Sequence, residues 1–131
     1  ELSCFTEARK SLKKNIVQFG YAKTFEDYAK WLWKADILPV TSNQDFFGGS
    51  IMEAVYCKTI PLLPRQLTYP ELFQLNDKPQ LFYENESDLL EKLTSSIEDI
   101  SKLRQQNYQS ITTEYDWSNM VKVYDRELMK L

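Results

Sequence analysis

Histidine is missing from all 131 residues of this chain. The commonest general base near neutral pH and the commonest transition-metal ligand are therefore absent together. Cysteine is scarce: Cys4 and Cys57 are too few and too far apart for a disulfide framework, and they read as reduced thiols of a cytoplasmic protein. With no carboxylate cluster at ligand spacing either, no metal or other cofactor is expected. No apolar run approaches the ~20 residues a membrane-spanning helix requires, and no signal-peptide pattern opens the chain. Basic residues are not in excess, since the formal net charge is −3. That balance argues against direct nucleic-acid binding by the domain as a whole. No GxGxxG or Walker-type loop, internal repeat or low-complexity stretch is present. Asn85-Glu86-Ser87 has the form of a glycosylation sequon. Without a secretory signal it reads as a turn capping the next helix.

Glycine is the informative scarcity. The chain has three, and two of them, Gly48 and Gly49, stand together in the stretch SNQDFFGGSIMEAVYC. An acidic residue precedes them, Asp45, and another follows, Glu53.

The flanking pattern gives these residues a setting. Residues 3–14 predict a helix with a basic face of Arg9, Lys10, Lys13 and Lys14. That face reads as solvated, with contact to RNA the less favoured alternative. Residues 16–19 are a short β-rich run ended by Gly20. Thr24 is a good N-cap for a helix that puts Phe25, Tyr28, Ala29 and Leu32 on one face. DILPV (36–40) reads as a strand, residues 49–57 as a helix, TIPLL (59–63) as a strand, and residues 81–83 as a short strand. Beyond these the pattern is helical, with one stripe of Leu90, Leu93, Ile97 and Ile100. A last helix, capped by Asp116, carries Trp117, Met120, Val121, Tyr124 and Leu128 on one face. Trp31, Trp33 and Trp117 are expected in the core rather than on a base-stacking platform. Alternation of strand and helix predicts an α/β fold: a Rossmann-like parallel sheet of at least four strands between helices, with a helical C-terminal extension. The first helix has no strand before it, which suggests a piece of a longer protein lacking its first strand or strands. An edge left open in this way invites self-association.

In an open parallel sheet, ligands bind beyond the carboxyl ends of strands, where loops feed helix N-termini. TSNQDFFGGS is such a loop. Paired glycines leave amides uncovered at the positive end of a helix, a setting suited to a diphosphate. Glu53, four residues after Gly49, lies on the same helix face and can accept from a ribose diol. Asp45, on the other side of the phosphate position, can take hydroxyls of an attached sugar. On spacing alone, a turn with an N-cap explains the glycines at least as well, and a Glu in the first turns can simply complement the dipole.

The stretch DFFGGSIMEA resembles the acidic–x7–acidic motif of retaining GT-B glycosyltransferases, with seven residues between Asp45 and Glu53. The flanking order FGY, KADILPV, Cys57-Lys58 and TIPLL agrees with that family, from about Phe5 to Phe73. DFFGGSIMEAVYC followed by PLLPRQLTYPELF is similar to the tRNA-queuosine α-mannosyltransferase-like branch. The resemblance implies that residues 1–131 are the nucleotide-sugar-binding C-terminal domain of a two-domain, metal-independent glycosyltransferase. Its donor would be GDP-mannose or a UDP-sugar. Its acceptor is unspecified, tRNA being the candidate, and would be selected by the N-terminal domain. Glu53 would hold the ribose and Asp45 the transferred sugar, the two forming the catalytic pair. Phe47, Gly48, Gly49 and Ser50 would contact sugar and diphosphate, while Tyr21 and Ala22 would lie along the base. Three departures stand out. Asp45 replaces the usual, longer Glu, and Leu67-Thr68-Tyr69-Pro70-Glu71 replaces a Gly-Gly-x-Pro-Glu turn. The family's basic phosphate clamp precedes this stretch, so the domain alone should not catalyse. Tyr69-Pro70-Glu71 could border the sugar or cap a short helix, and Arg65 is expected to serve at the surface. The alternatives are a non-catalytic α/β binding module and another GT-B enzyme such as a sugar-nucleotide epimerase. A receiver-like module needs an acidic pair after its first strand, which is not seen, and such epimerases usually carry histidines at the site.

Overall fold

The strand IPLLP is apolar without alternation because it is the middle of a sheet. The computed structural model describes residues 3–130. In it β1 (Ile37–Pro39), β2 (Ile60–Pro64) and β3 (Phe82–Tyr83) form a sheet of order β1-β2-β3, both pairings parallel. Ile37 pairs with Ile60 and Leu63 with Phe82. Every residue of β2 is buried, so both faces of this strand are covered.

The helices are α1 (Ser3–Ser11), α2 (Phe25–Lys34), α3 (Gly49–Tyr56), α4 (Tyr69–Leu72), α5 (Glu86–Glu98), α6 (Ile100–Leu103), α7 (Gln109–Thr113) and α8 (Trp117–Leu128). The fold is α/β, and everything after β3 is helical. α5 touches all three strands, and α3 packs on both β2 and α7. Ile51, Met52 and Val55 carry the inward face of α3 into a core with Leu63, Phe73 and Ile111. Three caps form as the sequence predicts. Thr24 Oγ1 accepts from the Asp27 amide (3.1 Å), Asn85 Oδ1 from that of Asp88 (3.1 Å), and Asp116 Oδ1 from that of Ser118 (2.8 Å). Thr59 does the same work at a helix end. Buried just before β2, its hydroxyl lies 3.2 Å from the Leu32 carbonyl and 3.0 Å from that of Ala35, tying the end of α2 to the sheet. Asp36 and Arg104 make a two-point ion pair (2.7 and 2.8 Å) that joins the start of β1 to the end of α6.

The structure corrects the sequence reading at three places. The sheet among the described residues has three strands rather than at least four, because residues 16–19 form no ladder. Val17 is 83% exposed, the Ile16 amide returns to the Leu12 carbonyl (3.1 Å), and Phe19 lies under the Arg9 guanidinium at 4.5 Å. A β-prone run with no strand beside it has nothing to pair with. In α5 the half-buried apolar residues are Leu89 and Leu93, and Ile100 at the start of α6 is half-buried too, while Leu90 and Ile97 face water. Leu89 and Leu90 are both apolar, so periodicity fits either phase and packing on the strands selects one. Finally, Trp33 and Trp117 are exposed, and most of the apolar face of α8 is open, with Tyr124 and Leu128 exposed and Met120 and Val121 half-buried.

Lys58 follows α3 with φ +71°, a left-handed position that closes the helix through its amide to the Val55 carbonyl (2.9 Å). Such a φ disfavours any residue with a Cβ. Lys58→Gly should therefore stabilise the fold by about 0.5–1 kcal/mol in urea unfolding. Leu63→Ala, at a fully buried site on β2, should destabilise by about 2–5 kcal/mol. Leu90→Ala, at a residue 66% exposed, should stay within about 0.5 kcal/mol. A comparably large loss at Leu90 would restore the original phase of α5.

Candidate functional site

The loop from residue 41 to 48 leaves the carboxyl end of β1 and enters α3. Its two glycines have different causes. Gly48, the N-cap of α3, is buried with φ +73°, and an added Cβ would meet Tyr69 Cε1 at 3.4 Å. Gly49 is exposed, and an added Cβ would meet nothing within 4 Å. The first is demanded by the turn; the second leaves the surface bare.

Asp45 holds this turn together. The Gly48 amide donates to its Oδ1 at 2.8 Å and the Tyr69 hydroxyl to its Oδ2 at 2.8 Å. The Tyr69 bond, then the Gly48 amide, hold the Asp45 carboxyl below its usual range. Burial, then the Asp45 bond, push the Tyr69 hydroxyl up to about 12. Both carboxylate oxygens already have a donor, although each keeps a second lone pair. The Gly48 amide is thus occupied, whereas the Gly49 and Ser50 amides have no acceptor among the described residues.

Glu53 stands one turn into α3 with its side chain exposed. The Tyr28 hydroxyl, from α2, donates to its Oε2 at 2.6 Å. That bond, followed by burial and the Glu53 charge, pushes the Tyr28 hydroxyl up to about 12. Beside the pair lies a cleft of about 510 Å³ whose lining includes Tyr28, Trp33, Phe47, Gly49, Glu53 and Tyr115. Phe47 meets Tyr115 edge to face with ring centroids 5.6 Å apart. Cys57, buried at the end of α3, also borders this cleft; burial, then the Glu53 charge, raise its thiol.

Six of the sequence-predicted residues, Asp45, Phe47, Gly48, Gly49, Ser50 and Glu53, therefore lie on one loop and helix N-terminus. Tyr21 and Ala22 do not join them at the cleft. They sit in the turn before α2, where Tyr21 is fully exposed and Ala22 half-buried. Arg65 pairs with Glu84 rather than facing the loop. Sequence reasoning missed Tyr28 and Tyr69 as partners of the two acids. The available signal was weak: a tyrosine on an apolar helix face needs a partner for its hydroxyl.

A parallel α/β sheet with a glycine-bearing loop feeding a helix N-terminus is a setting in which nucleotides are bound. No family model matches the chain, and no solved structure matches it. It is similar to the tRNA-queuosine alpha-mannosyltransferase of Drosophila melanogaster, with 35% identity over 69 residues, which is 53% of this chain and 18% of that protein. The chain thus spans less than a fifth of the curated relative it matches. This partial likeness supports a glycosyltransferase-like relationship. Among the described residues, no helix is long and apolar enough to cross a membrane.

The Asp45 bonds carry a testable stability. Tyr69→Phe keeps the buried ring and removes the hydroxyl, so it should destabilise by about 1 kcal/mol at neutral pH. Because the Asp45 pKa is depressed in the folded state, its contribution is present above the ordinary carboxylate pKa and lost as pH falls through the folded value. The difference in thermal unfolding between wild type and Tyr69→Phe should therefore begin to narrow below about pH 4 and close once pH has fallen past the depressed folded value. A gap that persists undiminished in acid would mean that the hydroxyl stabilises through something other than ionised Asp45.

Proposed function

We propose that this domain binds the sugar-nucleotide donor of a retaining glycosyltransferase. The observation that carries the reading is the start of α3, where the acceptor-free amides of Gly49 and Ser50 stand next to each other and Gly49 and Glu53 line one open cleft. The diphosphate takes the Gly49 and Ser50 amides at the positive helix end, and Gly48 shapes the turn beneath it. The ribose diol donates to Glu53. The transferred sugar faces Asp45 through lone pairs left free by Gly48 and Tyr69, with Phe47 beside it. Tyr21 and Ala22 reach the base only if their exposed turn folds in on the donor.

The similarity to a tRNA-queuosine alpha-mannosyltransferase makes GDP-mannose the first donor to test and queuosine-containing tRNA the first acceptor. In this reading the domain is the donor half of a two-domain, metal-independent enzyme. Asp45 and Glu53 orient the donor for catalysis, and a second domain selects the acceptor. A UDP-sugar is the control donor.

Titration calorimetry on the full-length protein tests the assignment. Glu53→Ala should remove charged hydrogen bonds of about 1.5–3 kcal/mol, weakening GDP-mannose about tenfold to a hundredfold. Gly49→Val should fit the fold, since nothing lies within 4 Å of its Cβ, yet abolish binding by covering the phosphate position. Asp45→Ala should weaken GDP as well, because it releases the Gly48 turn, and GDP-mannose further still. Chelation by EDTA should leave wild-type affinity unchanged. Equal donor affinities for wild type and Glu53→Ala would make Glu53 a helix-dipole residue and sink the proposal.

A further inference from the structure

Tyr28 is engaged with the one acidic residue that the turn does not consume. Its hydroxyl lies 2.6 Å from Glu53 Oε2, in the range of a hydrogen bond to an ionised oxygen. No ion pair reaches Glu53 among the described residues. An exposed glutamate otherwise samples several rotamers, and a carboxylate that is to accept two neighbouring hydroxyls has to hold one. Tyr28 is itself firmly based. It is half-buried with its ring tilted against Phe25, centroids 6.4 Å apart, and the end of its helix is tied to the sheet by Thr59. With one lone pair of Oε2 occupied, the other and both of Oε1 remain to accept from a ligand in the adjoining cleft.

We infer that Tyr28 is a positioning residue that holds Glu53 as a preformed two-point acceptor for a ribose diol, and so sets a preference for ribonucleotides over 2′-deoxyribonucleotides. This rests on the assignment of the ribose to Glu53. It predicts a selectivity that neither the loop nor the helix dipole supplies, since amides at a helix N-terminus meet the same diphosphate in either nucleotide.

The test is calorimetric titration of the full-length protein with GDP, UDP and their 2′-deoxy counterparts. Wild type should prefer the ribonucleotide. Tyr28→Phe, which keeps the ring, should reduce that preference about three- to tenfold and leave 2′-deoxynucleotide affinity within about twofold. In a Glu53→Ala background, adding Tyr28→Phe should change nothing further. Tyr28→Phe weakening both nucleotide types alike would overturn the inference in favour of a structural or direct base contact. So would a loss of equal size in the Glu53→Ala background. A wild-type preference that Tyr28→Phe leaves untouched would defeat the positioning role alone. A wild type with no ribose preference for either base would defeat the ribose assignment to Glu53, and this inference with it.

Discussion

The Asp45 carboxylate is the tie on which the loop, the start of α3 and the docking of α4 all depend. One oxygen receives the amide of a glycine that only a left-handed turn could place there; the other receives a hydroxyl whose ring is wholly buried. Each partner needs the carboxylate for its own reason. The Gly48 amide is an N-terminal donor without a helical acceptor. The Tyr69 hydroxyl sits on a side chain in the apolar core, where an unpaired hydroxyl carries a full desolvation penalty. An aspartate suits these short bonds, because the acid reaches back to its own turn.

The two acids of the motif are consequently unlike. Asp45 is woven into the turn, whereas Glu53 projects from α3 with one hydroxyl partner and open water around it. Asp45 thereby serves the architecture of the loop, whereas Glu53 is left at the surface beside the cleft. A change at Asp45 disturbs the shape of the whole loop, while a change at Glu53 alters the rim of the cleft and leaves the buried face of α3, Ile51, Met52 and Val55, in place.

How much of this could be read from residues alone follows from the range of each interaction. The three caps, the α3 helix and the central strand are local signals, and each formed within about two residues of its expected bounds. The loop stood out because glycine is so rare in the chain. What escaped was set at a distance. Tyr28 lies 25 residues from Glu53 and Tyr69 lies 24 from Asp45, so nothing in either neighbourhood announces the pairing. The run at 16–19 failed as a strand for a related reason, since propensity describes a residue and a ladder requires a partner. The phase of α5 was ambiguous because Leu89 and Leu90 are adjacent, and the strands beneath it decided which one turned inward.

The two thiols differ in a way that serves spectroscopy. Cys57 is 8% exposed, and burial together with the nearby Glu53 charge disfavours its thiolate, the form that reacts with alkylating reagents. Cys4 lies exposed on α1, whose side chains are all open to solvent. A maleimide dye or nitroxide added at neutral pH is therefore directed to one end of the domain without prior removal of a cysteine. Among residues 3–130, Cys4 is the practical attachment point outside the residues that line the cleft.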